Sequence, residues 1–508
     1  MASLTPPQPD PHTDPPPPEQ AAYGEVARRV ASGEVVAQAA PGGSAGRVAL
    51  GRVVRGGLAG VMGAGVAALA QFGLVVVVTR AFSVEQAGAF FTVTALMLMA
   101  AGIVKLDAGN GLVYFIARAD AFAYRGISGY IRAALVPVTG VATLAGVLLY
   151  PWLGPVALAL PVMAVADVLL AAGRGFGALR PTVLLGGVLL PIGQLALVAG
   201  VALAGTSPWL LGTAAPTDTS PWLPGATAPT GLPGPPASAV QQTPADWALP
   251  AWALPVAWAL PYLPVLVLAA LALRGRAPRT PYLPGTGRDL WRHTAPRSVA
   301  AAVQAVFQRF DIVIVALLAG PAQAAVYTAA TRFKIVGQLA NQGLAQAVQP
   351  RLVRALADGD LAAARELYQA TTMWLVLLTW PVWLAYALAA PWLLRLFGDG
   401  YGAATPVALV LAATMMAATA SGMVDVVLTA AGHTTASLRN LVAAGACTVL
   451  LDLALIPAHG ALGAALGWSA GVLVRNALPL WQLHHRYGLR PFGRHSRSAL
   501  RPRAWATA

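Results

Sequence analysis

The chain has 508 residues, of which 57% are hydrophobic and only 10% charged, with a mean hydropathy of +0.65. Soluble domains carry about 25% charged residues, so this balance excludes an ordinary soluble enzyme and points to lipid as the solvent. The formal charge of +14 does not indicate nucleic acid, because the arginines sit in short segments between apolar runs, and the one cysteine, Cys447, excludes an intrachain disulfide and a cysteine metal cluster.

Residues 1–50 open on a proline-rich stretch, Pro6–Pro18, with no apolar run behind a basic start. They read as a disordered cytoplasmic tail. A bilayer core takes roughly 20 apolar residues per helix. Runs of that kind fall at 57–79, 87–104, 129–150, 153–172, 181–204, 251–273, 298–319, 323–346, 369–389, 404–428, 438–456 and 460–480. They predict an all-α integral membrane protein with about twelve transmembrane helices.

Lys and Arg in the loops set the orientation. With the N-terminus in the cytoplasm, the outside segments hold only Arg80 and Arg395. The inside segments hold the rest, from Arg47, Arg52 and Arg55 through Lys105, Arg118, Arg174 and Arg180 to a basic tail. Both termini are therefore expected inside. One missed span would reverse every later loop and break the agreement.

The expected organisation is a six-helix bundle at 51–273, a basic cytoplasmic linker at 274–297, a second six-helix bundle at 298–482 and a basic tail at 483–508. Residues 205–247 form a Pro-, Thr- and Trp-rich insert without Lys or Arg on the outside. After it comes a Trp-Ala-Leu-Pro repeat at Trp247, Trp252 and Trp258. It reads as an interfacial cap, and Pro250, Pro255, Pro261 and Pro264 would kink any helix there. Gln86-Ala-Gly-Ala-Phe90 is similar to Gln323-Ala-Ala-Val-Tyr327, each leading to a Thr, Thr94 and Thr331. Copies six spans apart would make parallel halves related by an axis along the membrane normal.

No Walker A or His-Glu-x-x-His motif occurs, so neither enzymatic chemistry nor ATP-driven work is expected. His484-His485 has no acidic or cysteine partner nearby in sequence, and no metal or other cofactor is expected. The informative polar residues lie inside spans seven and eight. Gln304, Gln308 and Asp311 fall four and three residues apart, on one face of a continuous helix, with Arg309 beside them. Tyr327, Thr331, Lys334, Gln338, Asn341 and Gln342 form a polar stripe in span eight, with Arg332 adjacent.

An ionised side chain at the bilayer centre costs at least about 2.5–3.5 kcal/mol, so such residues face protein or water. These ten (Gln304, Gln308, Arg309, Asp311, Tyr327, Thr331, Arg332, Lys334, Gln338 and Asn341) are the candidate cavity lining. Cations exceed acids among them, which suits a phosphate-bearing cargo. Structural pairing with other helices is the competing reading. Asp107, Asp167, Asp425 and Asp452 are the other intramembrane acids; Asp311, Asp425 and Asp452 are the candidates for coupling to H+ or Na+.

Three blocks carry a resemblance. The first runs from Arg309-Phe-Asp311 through Ala324-Ala-Val-Tyr327-Thr-Ala-Ala-Thr-Arg332 to Gln349-Pro350. The second is Phe397-Gly-Asp-Gly-Tyr401 with Leu428-Thr-Ala-Ala-Gly432-His. The third is Leu451-Asp-Leu-Ala-Leu-Ile-Pro457-Ala-His-Gly460-Ala-Leu-Gly463. Together, over residues 305–475, they resemble the polysaccharide transporter (oligosaccharide flippase, O-antigen flippase-like) family of the multidrug/oligosaccharidyl-lipid/polysaccharide superfamily. That family usually has Asn where this chain has Asp452.

The resemblance implies two six-helix bundles around a central cavity that opens alternately to each side of the bacterial cytoplasmic membrane. It implies a polyprenyl-diphosphate-linked glycan as cargo, membrane lipid and polysaccharide assembly proteins as partners, and no nucleic acid. Three readings compete. A drug/cation antiporter would favour an acidic cavity. A lipid II flippase usually has further helices. A membrane-bound glycan polymerase or ligase would want an external loop with Arg or catalytic acids, and the 205–247 insert has Asp218 and Asp246 but no Arg. The residues also leave open a non-transporting scaffold.

Overall fold

The computed structural model describes residues 45–121, 127–206, 250–277, 282–333, 344, 348–349 and 351–498. The chain divides into two units at Val61 and Met62. Of the first, only helical backbone from Ala45 is described; the helix packing and the site belong to the second, Met62–Ala508. Residues 1–44, 207–249 and 499–508 lie outside the described residues, and with them most of the N-terminal tail, the Pro/Thr/Trp-rich insert and the last basic residues.

No strand occurs among the described residues. The helices are α1 (Ala45–Ala81), α2 (Val84–Val104), α3 (Ala108–Ala121), α4 (Ile127–Leu153), α5 (Leu160–Gly175), α6 (Leu190–Thr206), α7 (Ala253–Ala259), α8 (Tyr262–Arg274) and α9 (Thr286–Phe307). Then come α10 (Phe310–Ala319), α11 (Pro321–Thr331), α12 (Leu361–Arg395), α13 (Thr405–Ala420), α14 (Val424–Ala430), α15 (Thr434–His459), α16 (Ala461–Tyr487) and α17 (Arg494–Ser498).

Local chemistry sets many of these boundaries. Ser83 and Gln86 form a reciprocal capping box at the start of α2, each side chain accepting the other's backbone N–H at 3.2 Å. Asp360 accepts from the N–H groups of Ala362 and Ala363 to start α12. Pro261 separates α7 from α8, as the proline spacing predicts. Trp258 is buried and packs edge-on against Tyr262. Its helix turns the ring inward, where two flanking prolines fix the backbone.

Nine described segments are long and apolar enough to cross a membrane, ten when α9 and α10 count as one bent span. Two features relate this to about twelve crossings. The single segment Ile127–Gly175 holds a hairpin. Tyr130 at the start of α4 stacks on Phe115 of α3, and Gly175 at the end of α5 lies against Ile116 of the same helix. Both ends of the segment thus return to α3, so α4 and α5 are antiparallel crossings. The second feature is α11, eleven residues long, which ends just before the undescribed residues 334–343.

Lipid exposure is visible directly. The segment Thr434–His459 has a mean hydropathy of 2.1 with only 17% of its window buried inside the protein. An apolar helix that the protein leaves uncovered has hydrocarbon as its solvent. Where helices do meet, small residues permit it. Gly463, Gly467 and Gly471, four residues apart on α16, face α15 so closely that a Cβ would fall 2.4 Å from the Leu455 carbonyl, 2.1 Å from Asp452 and 1.9 Å from Thr448.

Candidate functional site

The site is built where span seven breaks. α9 and α10 meet at a 47° bend, with Gln308 and Arg309 in the turn between them. The two pieces belong to different neighbourhoods. α9 packs on α2, α3 and α4: Trp291 donates to the Ala133 carbonyl at 3.0 Å, and Arg297 pairs with Asp107 at 2.9 Å. α10 packs on α11, shares α2 with α9, and also packs on α15 and α16.

The bend corrects one expectation. Gln304, Gln308 and Asp311 would share a face only on a continuous helix. The turn at Gln308–Arg309 resets the register, so Gln304 and Gln308 are exposed on α9 while Asp311 turns toward α11, half-buried. There Tyr327 donates its hydroxyl to Asp311 Oδ2 at 2.9 Å, and the Ile312 N–H donates to Oδ1 at 2.9 Å. Tyr327 is fully buried and holds Asp311. Thr331 bonds back to the Thr328 carbonyl at 3.1 Å. Thr94, its counterpart in the repeat, does the same to Phe91 at 3.1 Å.

Arg332 follows α11 directly. Its guanidinium lies 5.9 Å from the Phe91 ring centroid, on α2. Its Nε is buried without a hydrogen-bond partner among the described residues. Arg309, Arg332 and Asp311 are within electrostatic reach of one another, and Arg309 also of Tyr262 on α8. Tyr262 is not a residue that the sequence pattern singles out; only the turn after Pro261 brings it here. Lys334, Gln338, Asn341 and Gln342 lie outside the described residues.

Asp452 joins the site from α15. It is buried against Gly467, its Oδ1 without a hydrogen-bond partner among the described residues, and it interacts electrostatically with Asp311 and Tyr327. Of the other acids, Asp167 is within electrostatic reach of Tyr262, while Asp425 and Asp107 have other partners. Asp425 accepts from the Ser437 hydroxyl. Asp167 pairs with Lys105 at 2.9 Å. Asp107 holds Arg297 and Asn110 from a turn in which Leu106 and Asp107 both have positive φ, 50° and 52°. Among the described residues no cluster of His, Cys, Asp and Glu could hold a metal ion.

Beside Phe397 of the second resemblance block, segments distant in sequence meet at one end. Arg80 donates to the Arg395 and Leu396 carbonyls at 2.6 and 2.8 Å, satisfying the C-terminus of α12. Phe72 packs on Phe397 and Phe333 at 5.6 and 5.7 Å between centroids. Gly88 of α2 abuts Pro321 so closely that a Cβ would fall 1.7 Å from its carbonyl oxygen. These contacts join α1 and α2 to α11 and α12 at the end marked by Arg80 and Pro321.

A MatE family model matches residues 296–455, from the second half of α9 into α15. Among solved structures, the chain is similar to a multidrug resistance MATE family transporter of the MOP superfamily in its inward-facing conformation. Identity is 14%, over 83% of this chain and 95% of that chain, with a TM-score of 0.60. An outward-facing conformation of such a transporter gives 15% identity over 86% and 95%, with a TM-score of 0.50. The lipid II flippase MurJ, inward closed, gives 8% identity over 88% and 91%, with a TM-score of 0.53. No curated protein matches the sequence. The chain is thus an all-α membrane protein with the MATE transporter fold, and MatE-type sequence runs through its second half.

Proposed function

We propose that the protein is an alternating-access flippase for an anionic lipid-linked oligosaccharide, a polyprenyl-diphosphate glycan, in bacterial cell-surface polysaccharide synthesis. The observation that carries this reading is Arg332. A buried guanidinium Nε without a hydrogen-bond partner among the described residues is costly unless something fills its hydrogen-bonding capacity. A diphosphate oxygen fits that fork, and Arg309 nearby adds a second cation. The break at Gln308–Arg309 also places the N-terminus of α10 beside them, and half-helix N-termini inside a membrane favour anionic groups.

A glycan head group crossing hydrocarbon would leave its polar groups unsatisfied. A polar route between the halves avoids that cost, while the polyprenyl tail stays in lipid. Rocking the halves about the bend at span seven would alternate the access. Under the positive-inside orientation, with both termini in the cytoplasm, the Arg80–Pro321 end faces outward. Asp311 and Asp452 are the candidates for H+ or Na+ coupling, because a half-buried and a buried acid within electrostatic reach of each other change in energy with the charge around them.

That acidic pair is also what favours the second reading, an ion-coupled multidrug antiporter of the same fold. Lipid II is the other cargo that the fold admits. Deletion in the native host, with analysis of lipid-linked intermediates and surface glycan, separates these. Lipid-linked oligosaccharide held on the cytoplasmic face, with surface polymer lost, supports the flippase. Unchanged glycans with new sensitivity to cationic compounds overturn it for the antiporter; accumulated lipid II overturns the cargo.

A further inference from the structure

A second basic feature lies away from the site, between the N-terminal turns of α15 and the C-terminal turns of α16. A groove of about 310 Å³ is lined there by Ala436, Arg439, Trp481, Gln482, His485 and Arg486. Neither arginine has an acidic partner among the described residues, where the ion pairs are Lys105–Asp167 and Arg297–Asp107. α16 contains no acid, and the single acid of α15, Asp452, sits thirteen residues beyond Arg439. At about 1.5 Å rise per residue that is roughly 20 Å away. Asp425 on the neighbouring α14 is held by the Ser437 hydroxyl; the groove lining itself carries two arginines and no acid.

The groove floor is built rather than loose. Asn440 and Gln482 exchange two amide hydrogen bonds, each 2.9 Å, locking the two helices in register beneath it. Trp481 stacks on His485 with ring planes 4° apart, yet its indole is largely exposed. Ala436 belongs to the first turn of α15, whose N-cap residue His433 makes no side-chain cap, and the positive end of that helix dipole adds to the potential. Beyond the groove, Leu438, Leu441 and Val442 on α15 are exposed and apolar.

This combination matches one partner. Two arginines lie within two turns of the helix ends, an aromatic sits at the same level, and apolar side chains run away along the helix. That is the profile of a phospholipid seated at the membrane surface, phosphate on the guanidinium groups and acyl chains along α15. We infer that the α15–α16 groove is a binding site for an anionic glycerophospholipid, held through its headgroup phosphate by Arg439 and Arg486. It is distinct from the cargo site at span seven and requires no particular cargo.

The test uses the full-length protein purified into nanodiscs of phosphatidylglycerol and phosphatidylcholine, with retained lipid read by native mass spectrometry. The wild type is expected to retain phosphatidylglycerol in preference, and R439Q/R486Q to lose at least tenfold of that preference. R439K/R486K should keep part of it. Both positions are exposed, and a melting temperature within a few degrees of wild type checks the fold; if R439Q/R486Q fails that check, the single variants R439Q and R486Q are read instead. Equal retention by wild type and neutralised variants overturns the site. So does displacement of the lipid by millimolar inorganic phosphate, or preference for a polyprenyl diphosphate over phosphatidylglycerol.

Discussion

The Tyr327 hydroxyl reaches Asp311 at 2.9 Å across the reversal between α10 and α11, where Gly320 takes a φ of 87°. Only a residue without a Cβ adopts that conformation cheaply. The turn therefore sets the distance at which a tyrosine on one helix meets an acid on the other. Tyr327→Phe should lower stability by about 0.6 kcal/mol, the average for hydrogen bonds between membrane helices, and by no more than about 1.7 kcal/mol. It should also impair transport more than that loss explains, because Asp311 would be reoriented. Thermal unfolding and an export assay on the same preparation check this; full activity would show that the bond is only structural.

Arg332 is the sharper test of an anionic cargo. Arg332→Ala should reduce export about ten- to a hundredfold, the equivalent of losing about 1.5–3 kcal/mol of hydrogen bonding to a charged group. Membrane insertion and protein level should stay at wild type. Lys334→Ala, chosen from sequence alone, should act in the same direction. Normal glycan export by both variants removes the cationic basis of the proposal.

Asp452 and Gly467 should behave as a coupled pair. A Cβ at Gly467 would fall 2.1 Å from Asp452 Oδ1, so Gly467→Ala either displaces the carboxylate or parts α15 from α16. The expected cost is about 1–3 kcal/mol, as for other overpacked interiors. Asp452→Ala clears that space, so the double variant should be more stable than the sum of the two single effects predicts. Strict additivity in the melting temperatures would place Gly467 and Asp452 out of contact.

Gly88 offers a conformational prediction. Gly88→Val cannot coexist with the Pro321 carbonyl in this arrangement. The variant should open the Arg80–Pro321 end. A cysteine placed at Ala322, in a Cys447→Ser background, should then react faster with a membrane-impermeant thiol reagent. Unchanged labelling would mean that this contact does not hold that end together.

Several of these relationships are partly legible in the sequence. Asp311, Tyr327 and Arg332 stand out because polar side chains inside apolar runs are expensive, and the structure places them together. Asp452 stands out for the same reason, but its approach to Asp311 is a matter of how α15 crosses α10. The broken helix is the main feature that periodicity misses. Its signal is present in Gln308-Arg309, two large polar residues in mid-span, but a periodic reading assumes a continuous helix and carries Gln304 and Gln308 onto the face of Asp311. Residues 108–121, which read as part of a loop, form a helix because their apolar side chains Leu112, Phe115 and Ile116 find a surface on α4 and α5.

Hydropathy and helix periodicity act over one turn or one span, so the sequence by itself determined the membrane class, the helical fold and most span positions. Capping residues such as Ser83, Gln86 and Asp360 acted locally too. What only the tertiary structure decided are the meetings between distant segments: Arg80 with Arg395, Gly88 with Pro321, Asp452 with Gly467 and Asp311. Each depends on two helices approaching within a few ångströms, and that is fixed by small side chains and bends summed over the whole bundle rather than by any stretch of sequence alone.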